Sequence, residues 1–160
     1  MKKVKKIMIL SMFVLLFVTG CSSKKDEEDI FQHDGTYIGD NSTVVEIIGK
    51  LKHGEDFEKL ALETTTEPYG MTITYNEFDA TMIDKEYKET AIYNATFLLV
   101  LIDNADWVAF DFENGKYKVT RDELQTWYGE ELSEFSNEDD LERLIQEYLA
   151  DEDKVSQLLG

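Results

Sequence analysis

The sequence predicts an α+β domain with about four antiparallel strands in two hairpins and with helices packed mainly on one face of the sheet. Two observations predict this class. Apolar residues recur at helical spacing in several stretches. In two further places, a turn signal lies between two short segments in which apolar and polar residues alternate. The order along the chain is helix, hairpin, helix, hairpin, helix, helix, which is typical of helices segregated on one side of a sheet. Residues 33–160 are expected to form this single domain around one core.

The first helix and the first hairpin are predicted between Asp40 and Tyr75. Thr43 and Glu46 have the form of a capping box near the start of the helix. The hairpin turns at Glu67-Pro68-Tyr69-Gly70, where the proline presets φ. The apolar positions are Val44, Val45, Ile48 and Leu51 in the helix, and Leu60, Leu62, Met71, Ile73 and Tyr75 in the strands.

The second helix and the second hairpin are predicted between Tyr87 and Val119. The helix becomes apolar all round in its last turns, which indicates a central and buried position. Asn114-Gly115 is the strongest short hairpin signal in the chain. The apolar positions are Tyr87, Ala91, Ala95, Leu98 and Ile102 in the helix, and Val108, Phe110, Phe112, Tyr117 and Val119 in the strands.

Two helices are predicted after the second hairpin. Thr120 and Glu123 form another capping-box pattern, and Gly129 is placed to end the helix that follows. The last helix is predicted from about Glu138 to Ala150, with acidic residues in its first turn, where the helix dipole favours them. Its apolar face comprises Leu141, Leu144, Ile145, Tyr148 and Leu149, and Val155, Leu158 and Leu159 are expected to extend it.

Residues 1–20 have the composition of a secretory signal peptide. Four lysines precede the apolar stretch from Ile7 to Val18, which is shorter than the roughly 20 residues needed to span a bilayer. Val18-Thr19-Gly20-Cys21 then matches the bacterial lipobox. We therefore expect cleavage before Cys21 and a diacylglyceryl group on its sulfur, which would anchor the protein at the cell membrane, facing outside the cytoplasm. Residues 21–32 begin with a polar and charged run and are expected to form a flexible tether.

Beyond the leader the chain is strongly acidic. It carries 34 acidic and 12 basic residues, a net charge of −22. Such a charge disfavours nucleic acid and anionic lipid head groups as partners and favours cationic ones. The alternative is that the charge only keeps the protein soluble, whatever it binds. Because Cys21 is the only cysteine in the sequence, no intramolecular disulfide is expected.

The sequence contains no recognisable catalytic constellation. Its only histidines, His33 and His53, are expected to be solvated loop residues, and they lack zinc-ligand spacing. Acidic clusters at 103–106, 111–114 and 137–140 offer oxygen ligands for calcium, but none has EF-hand spacing, and Asp and Asn also favour turns and helix starts. We expect no catalytic, metal-binding or cofactor-binding residue and no cofactor beyond the lipid.

Aromatic residues are better candidates for a binding surface. Tyr69 lies at the predicted turn and is expected to be exposed, so it is the candidate partner contact. Trp107, Trp127 and Tyr128 are further candidates, but Trp107 begins a strand and Trp127 lies on a helix face, so both tryptophans are expected in the core.

Four segments of the chain carry a family resemblance: Tyr37-Ile38-Gly39-Asp40-Asn41-Ser42, Glu67-Pro68-Tyr69-Gly70, Leu98-Leu99-Val100-Leu101-Ile102-Asp103-Asn104 and Thr120-Arg121-Asp122-Glu123-Leu124. Together they resemble the bacterial family called domain of unknown function 4825 over about residues 33–130. The resemblance implies a short lipoprotein of Gram-positive bacteria. The domain also occurs beside membrane metallopeptidases of the kind that sense antibiotics, which implies a sensory or regulatory binding role. That family has no assigned catalytic residues, so none is carried over.

The expected function is therefore that of a membrane-anchored extracytoplasmic lipoprotein that binds a protein or peptide partner without catalysing a reaction. Two alternatives stay open. A carboxylate- or calcium-dependent envelope hydrolase would use some of the 34 acidic residues, and a structural spacer would bind no ligand.

Overall fold

The computed structural model describes residues 29–78 and 83–160, so the predicted signal peptide and Cys21 lie outside the described residues. The helices are α1 (Asn41–Lys50), α2 (Ile83–Leu101), α3 (Arg121–Tyr128), α4 (Glu138–Leu149) and α5 (Glu152–Leu159). The strands are β1 (Phe57–Glu63), β2 (Gly70–Tyr75), β3 (Trp107–Phe112) and β4 (Gly115–Thr120). Short 3₁₀ helices cover Ile30–His33, Gly54–Asp56 and Leu132–Glu134. The α+β class and the predicted order of helices and hairpins are confirmed.

The four strands form one sheet in the order β1-β2-β3-β4. Both predicted hairpins are antiparallel, but β2 and β3 are parallel, with Gly70 opposite Trp107. The expectation of an entirely antiparallel sheet was therefore wrong at this central pair. The reason is the long connection: α2 has 19 residues and spans about 28 Å, so it returns the chain to the end of the sheet where β2 began.

The helices cover one face of the sheet, as the alternation predicted. Side chains on that face are buried, whereas the opposite face has half-buried threonine, alanine and aspartate positions in β2 and β3. The buried set is Met71, Ile73 and Tyr75 in β2 and Val108, Phe110 and Phe112 in β3. Helix α2 contacts both β3 and β4 across this face.

Helix α2 is the centre of the core. It is buried on all sides from Thr90 to Leu101, which agrees with its predicted position. Its buried polar residues are Thr90, Asn94 and Thr96, and among the described residues the Thr90 hydroxyl has no hydrogen-bond partner, whereas the other two are bonded inside the protein. Asn94 donates to the carbonyl of Lys52 and to the Tyr75 hydroxyl, and Thr96 bonds the Tyr128 hydroxyl at 2.9 Å. These bonds connect α2 to the loop after α1, to β2 and to α3.

Helix boundaries in the described residues depend on capping residues, as α3, α1 and α5 show. The capping box of Thr120 and Glu123 is present, and Gly129 ends α3 with a left-handed φ of 71°. In α1 the cap is Asp40, which accepts from the Thr43 amide and hydroxyl, so the proposed Thr43 box was wrong. The predicted extension of the last helix is a separate helix, α5, because Asp151 accepts from the amides of Asp153 and Lys154 and starts a new one.

The packed region begins before His33. Ile30 and Phe31, which the sequence analysis placed in the tether, are buried and join the core. No described helix is both long enough and apolar enough to cross a lipid bilayer.

Candidate functional site

The loop from Ile102 to Asp106, called here the 102–106 loop, connects α2 to β3 and brings together segments that are distant in the sequence. Thr36 runs beside it: the Thr36 amide donates to the Leu101 carbonyl at 3.0 Å, and the Asp103 amide donates to the Thr36 carbonyl at 2.9 Å. The Ile38 amide donates to Asn104 Oδ1 at 2.8 Å. Tyr37 therefore lies between Thr36 and Ile38, which are hydrogen-bonded to this loop and to the last residue of α2.

The turn before β2 is fixed to the other end of the 102–106 loop. The Tyr69 amide donates to Asp106 Oδ2 at 2.7 Å, and the Asp106 amide donates to the Tyr69 carbonyl at 2.8 Å. The Trp107 indole N–H donates to the Pro68 carbonyl at 3.1 Å. The Trp107 ring lies where a Cβ on residue 70 would project. Because Gly70 has no Cβ, the ring can pack directly against its backbone.

Arg121, the first residue of α3, binds the inner side of the 102–106 loop. Its Nε donates to the Ala105 carbonyl at 3.0 Å and its Nη2 to the Ile102 carbonyl at 2.9 Å. These carbonyls follow the end of α2, where a cation is favoured by the helix dipole. Burial lowers the pKa of Arg121, and the charges of Asp106 and Asp103 oppose that shift. The guanidinium thus fixes the loop from within.

All four segments that resemble the family meet at this loop. Hydrogen bonds between these segments join them into one scaffold. The exposed side chains of Asp40, Asp103, Asp106 and Asp122 surround the scaffold with carboxylates. Hydrogen bonds from Thr43 hold the pKa of Asp40 below its ordinary value, so this carboxylate stays ionised at neutral pH.

Tyr37 is the side chain that this scaffold presents to solvent. It is 61% exposed, and among the described residues no other large apolar or aromatic side chain is exposed. Tyrosine combines a large ring with a polar hydroxyl, which suits contact with a protein partner. We call Tyr37 with Asp40, Asp103 and Asp106 the Tyr37 surface.

The aromatic candidates from the sequence occupy different positions. Tyr69 is half-buried against the core instead of exposed at a tip, although its role as a partner contact is still a prediction. Trp107 and Tyr128 are buried. Trp127 is half-buried, and its indole N–H donates to the Lys154 carbonyl at 3.0 Å. Tyr37 lies in one of the segments that resemble the family, and its position between Gly35 and Gly39 is the sequence feature that could have indicated an exposed aromatic residue.

The two histidines are not solvated loop residues, so that expectation was wrong. The His33 side chain is 10% exposed, with Nε2 at 3.7 Å from Glu46 Oε1. The His53 ring stacks on Phe78 at 3.7 Å between centroids. His53 also lies between two carboxylates, with Nδ1 at 3.1 Å from Asp56 and Nε2 at 3.2 Å from Glu86. A left-handed φ of 57° at His53 turns the chain after α1 and brings the ring into this position.

The 102–106 loop collects charged and hydrogen-bonding side chains. The side chains collected there are carboxylates, an inward guanidinium, an amide and tyrosines. Within residues 29–78 and 83–160, no three His, Cys, Asp or Glu side chains are grouped as metal ligands would be. In the three acidic clusters considered for calcium, Asn104 and Asp106 accept from distant amides, Asn114 donates to Glu113, and Asn137 Oδ1 accepts from the Asp140 amide.

Comparison with known proteins identifies one family. The sequence model described as Domain of unknown function (DUF4825) matches residues 30–122, which is more than half of the chain and contains all of the 102–106 loop and its partners. The predicted resemblance over about residues 33–130 is thereby confirmed. No curated protein and no solved structure is matched by the chain.

Proposed function

Since this chain belongs to the family described as Domain of unknown function (DUF4825), we propose from its own residues that it is a lipid-anchored binding module. It captures a cationic protein or peptide partner outside the cytoplasm, without catalysis, through the Tyr37 surface. The observation that carries this proposal is the exposed Tyr37 on a hydrogen-bonded acidic scaffold. The sensory or regulatory role implied by the family would follow from occupancy of that surface.

Pre-organisation favours Tyr37 as a binding residue. Thr36 and Ile38 on either side of it are tied to Leu101, Asp103 and Asn104 by hydrogen bonds of 2.8 to 3.0 Å. A contact residue on a fixed backbone loses little conformational freedom on binding, so more of the contact energy appears as affinity. Tyrosine is also among the residue types most often found at the energetic centre of interfaces.

Charge favours a cationic partner. The exposed carboxylates of the segments that meet at the 102–106 loop belong to a chain with a formal net charge of −18, and lysine or arginine side chains would be steered towards them. Such steering raises the association rate and weakens as the ionic strength increases. Partner capture is thus expected to be sensitive to salt.

The anchoring part of the proposal depends on the leader and Cys21. A diacylglyceryl group contributes two acyl chains, and two chains are what stable membrane attachment requires. The tether and domain would then be presented at the outer surface of the cell membrane. Mass spectrometry of the intact protein tests this part separately: the expected species begins at a diacylated Cys21, and an unprocessed chain without acyl mass would contradict it.

Site-specific crosslinking in the native membrane tests the binding role. A photoreactive amino acid replaces Tyr37 in the full-length chain. The matched control carries it in place of Ala61, an exposed residue on the face of the sheet that the helices do not cover. We expect a defined crosslinked partner from position 37 and not from position 61. Equal crosslinking from both positions would contradict a specific contact.

The affinity of the captured partner gives the second readout. Tyr37→Ala is expected to weaken binding about tenfold or more, whereas Tyr37→Phe keeps the ring and most of the affinity. Tyr69→Ala tests whether the neighbouring half-buried tyrosine also contributes, as the sequence analysis predicted. If Tyr37→Ala folds with unchanged thermal stability and binds the partner as the wild-type chain does, the Tyr37 surface is not the site.

A further inference from the structure

A second surface lies outside the family match, on the C-terminal part of the chain. A groove of about 400 Å³ runs between the segment 130–137 and helix α4. Residues 123–160 carry twelve acidic and two basic residues, a net charge of −10 over 38 residues. Residues 30–122 have the same net charge of −10 spread over 93 residues. The negative charge is thus concentrated in the part of the chain that builds this groove.

The groove combines an apolar floor with an acidic rim. Phe135 and Leu144 are half-buried and pack against the core while still lining the groove. Among the described residues, the rim carboxylates of Glu130, Glu134 and Glu147 form no ion pair with a basic side chain. The fourth rim acid, Asp140, accepts from Arg143 Nη1 at 2.8 Å. An apolar floor between uncompensated carboxylates complements a ligand that is apolar on one side and cationic at its edges.

The walls of the groove are held in place by the packing of α4 on the core and by hydrogen bonds at its start and along its length. Leu141, Ile145 and Leu149 bury the inner face of α4 in the core, and Asn137 caps its first turn. The Tyr93 hydroxyl of α2 donates to Glu142 on α4, and the Tyr148 hydroxyl donates to the Tyr128 carbonyl at 2.9 Å. Because these bonds fix α4 against α2 and α3, the groove is pre-formed.

We propose that this groove docks a basic amphipathic segment of a partner protein. An apolar side chain of that segment lies on Phe135 and Leu144, and its lysine or arginine side chains pair with Glu130, Glu134 and Glu147. A second copy of this chain is a poorer occupant, because it would bring the same acidic surface and be repelled. The groove is distinct from the Tyr37 surface and does not depend on the function proposed for it.

The geometry of α4 sets the spacing that the ligand must match. Arg143 and Leu144 are three and four residues after Asp140, and Glu147 is four and three residues after them, so all four lie along one helix face. They form one wall, and the segment 130–137 forms the other. A helix or extended strand with one apolar anchor between basic residues fits such a wall, whereas a uniformly charged chain would leave the apolar floor in contact with water.

A peptide titration tests the proposal directly. The probe is a short fluorescent peptide of lysine and leucine at amphipathic spacing, titrated with the full-length chain and followed by fluorescence anisotropy. The groove variant is Glu130→Lys/Glu134→Lys/Glu147→Lys. The matched control, Glu55→Lys/Glu58→Lys/Glu77→Lys, makes the same change in net charge at three exposed acids outside the groove. We expect the groove variant to bind the peptide about tenfold more weakly than the control variant does.

Arg143 provides a test with the opposite sign. Its guanidinium neutralises Asp140 and repels a cationic ligand, so Arg143→Gln is expected to strengthen peptide binding a few-fold. A variant that merely disturbed the fold would weaken binding. Thermal unfolding monitors the fold of every variant, and Glu147→Lys alone replaces the triple variant if the latter does not fold, with Glu58→Lys as its control.

Three results would overturn the docking groove. Equal weakening by the groove and control variants would mean attraction by net charge alone. No strengthening by Arg143→Gln would mean that the ligand does not approach the α4 wall. Loss of peptide binding in Tyr37→Ala, with none in the groove variant, would place the peptide on the Tyr37 surface and leave the function proposed there intact.

Discussion

The indole of Trp107 covers Gly70, its partner in the parallel register of β2 and β3. Lys118 Nζ lies 4.1 Å from the centroid of the ring, and the indole N–H is bound to the Pro68 carbonyl. The aromatic ring thereby fixes the turn before β2 and, through it, the Tyr69 contact with the 102–106 loop. The glycine is required by the proximity of the ring and not by an unusual backbone angle.

Gly70→Ala is expected to destabilise the protein. Its methyl group would overlap the Trp107 ring, and insertion of a methyl group into a closely packed position typically costs about 1 to 3 kcal/mol. Gly49→Ala is the matched control. Gly49 lies inside α1 with open space beside it, so alanine there should stabilise the protein by up to about 1 kcal/mol. Urea unfolding measures both changes.

A double variant checks the stated cause of this destabilisation. Gly70→Ala combined with Trp107→Leu removes the overlapping ring, so the cost of the alanine should fall well below its cost in the wild-type background. Additive effects of the two substitutions would show that the ring does not impose the glycine.

The surroundings of individual side chains could not be predicted from the sequence. His33 and His53 were expected in solvent because they flank a helix in polar stretches, yet His53 is stacked on Phe78 and lies near Glu86, 33 residues away. Tyr69 was expected at an exposed tip, but its backbone bonds to Asp106, 37 residues away, hold it against the core. Local composition cannot report such distant partners.

At the scale of elements, local signals predicted most of the fold. The capping box at Thr120, the glycine at 129, the two hairpins and the buried second helix all appear where the sequence placed them. The parallel pairing of β2 with β3 could not be read in this way, because it depends on where α2 returns the chain. The Tyr37 surface depends likewise on contacts across 66 residues, from Ile38 to Asn104.

The two threonines with capping-box form should differ in their contribution to stability. Thr120→Ala removes the side-chain oxygen that accepts from the Glu123 amide and is expected to cost about 1 kcal/mol. Thr43→Ala should be close to neutral, because Asp40 still accepts from the amide at position 43 and alanine has the higher helix propensity. Chemical denaturation of both variants measures the difference. Equal losses would mean that Asp40 is not the effective cap of α1.

At the scale of the whole molecule, charge and core make separate contributions. The acidic residues are at the surface, where they repel one another and favour cationic partners, while the buried polar groups are mainly tyrosine, threonine and asparagine. Within the described residues, five tyrosine hydroxyls connect different elements: Tyr75 with α2, Tyr93 with α4, Tyr117 with Asp84, Tyr128 with Thr96, and Tyr148 with the Tyr128 carbonyl. Tyrosine hydroxyls therefore contribute to the packing of helices and strands against one another.

Stability is expected to fall steeply at alkaline pH because of these tyrosines. Burial raises the pKa of Tyr75 to about 12, and burial together with Asp84 raises the pKa of Tyr117 to about 12. The pKa values of Tyr93 and Tyr128 are raised as well, chiefly by burial. An unfolded tyrosine releases its proton near pH 10, so between about pH 10 and 12 the folded state binds more protons than the unfolded state does. The free energy of unfolding must then decrease as pH rises through this window, whereas below it the contribution stays complete.

Tyr75→Phe isolates one of these groups. The variant leaves Asn94 without one of its acceptors, so its stability at neutral pH should be lower by about 1 kcal/mol or more. Its stability should nevertheless fall less steeply between about pH 10 and 12, by up to about 1.4 kcal/mol per pH unit, because one buried group no longer ionises on unfolding. Urea unfolding at a series of pH values gives both slopes. Parallel decreases of the free energy of unfolding in the two proteins would mean that the Tyr75 hydroxyl does not resist ionisation in the folded state. The loss of stability would then have to come from the other tyrosines or from the growing negative charge of the surface.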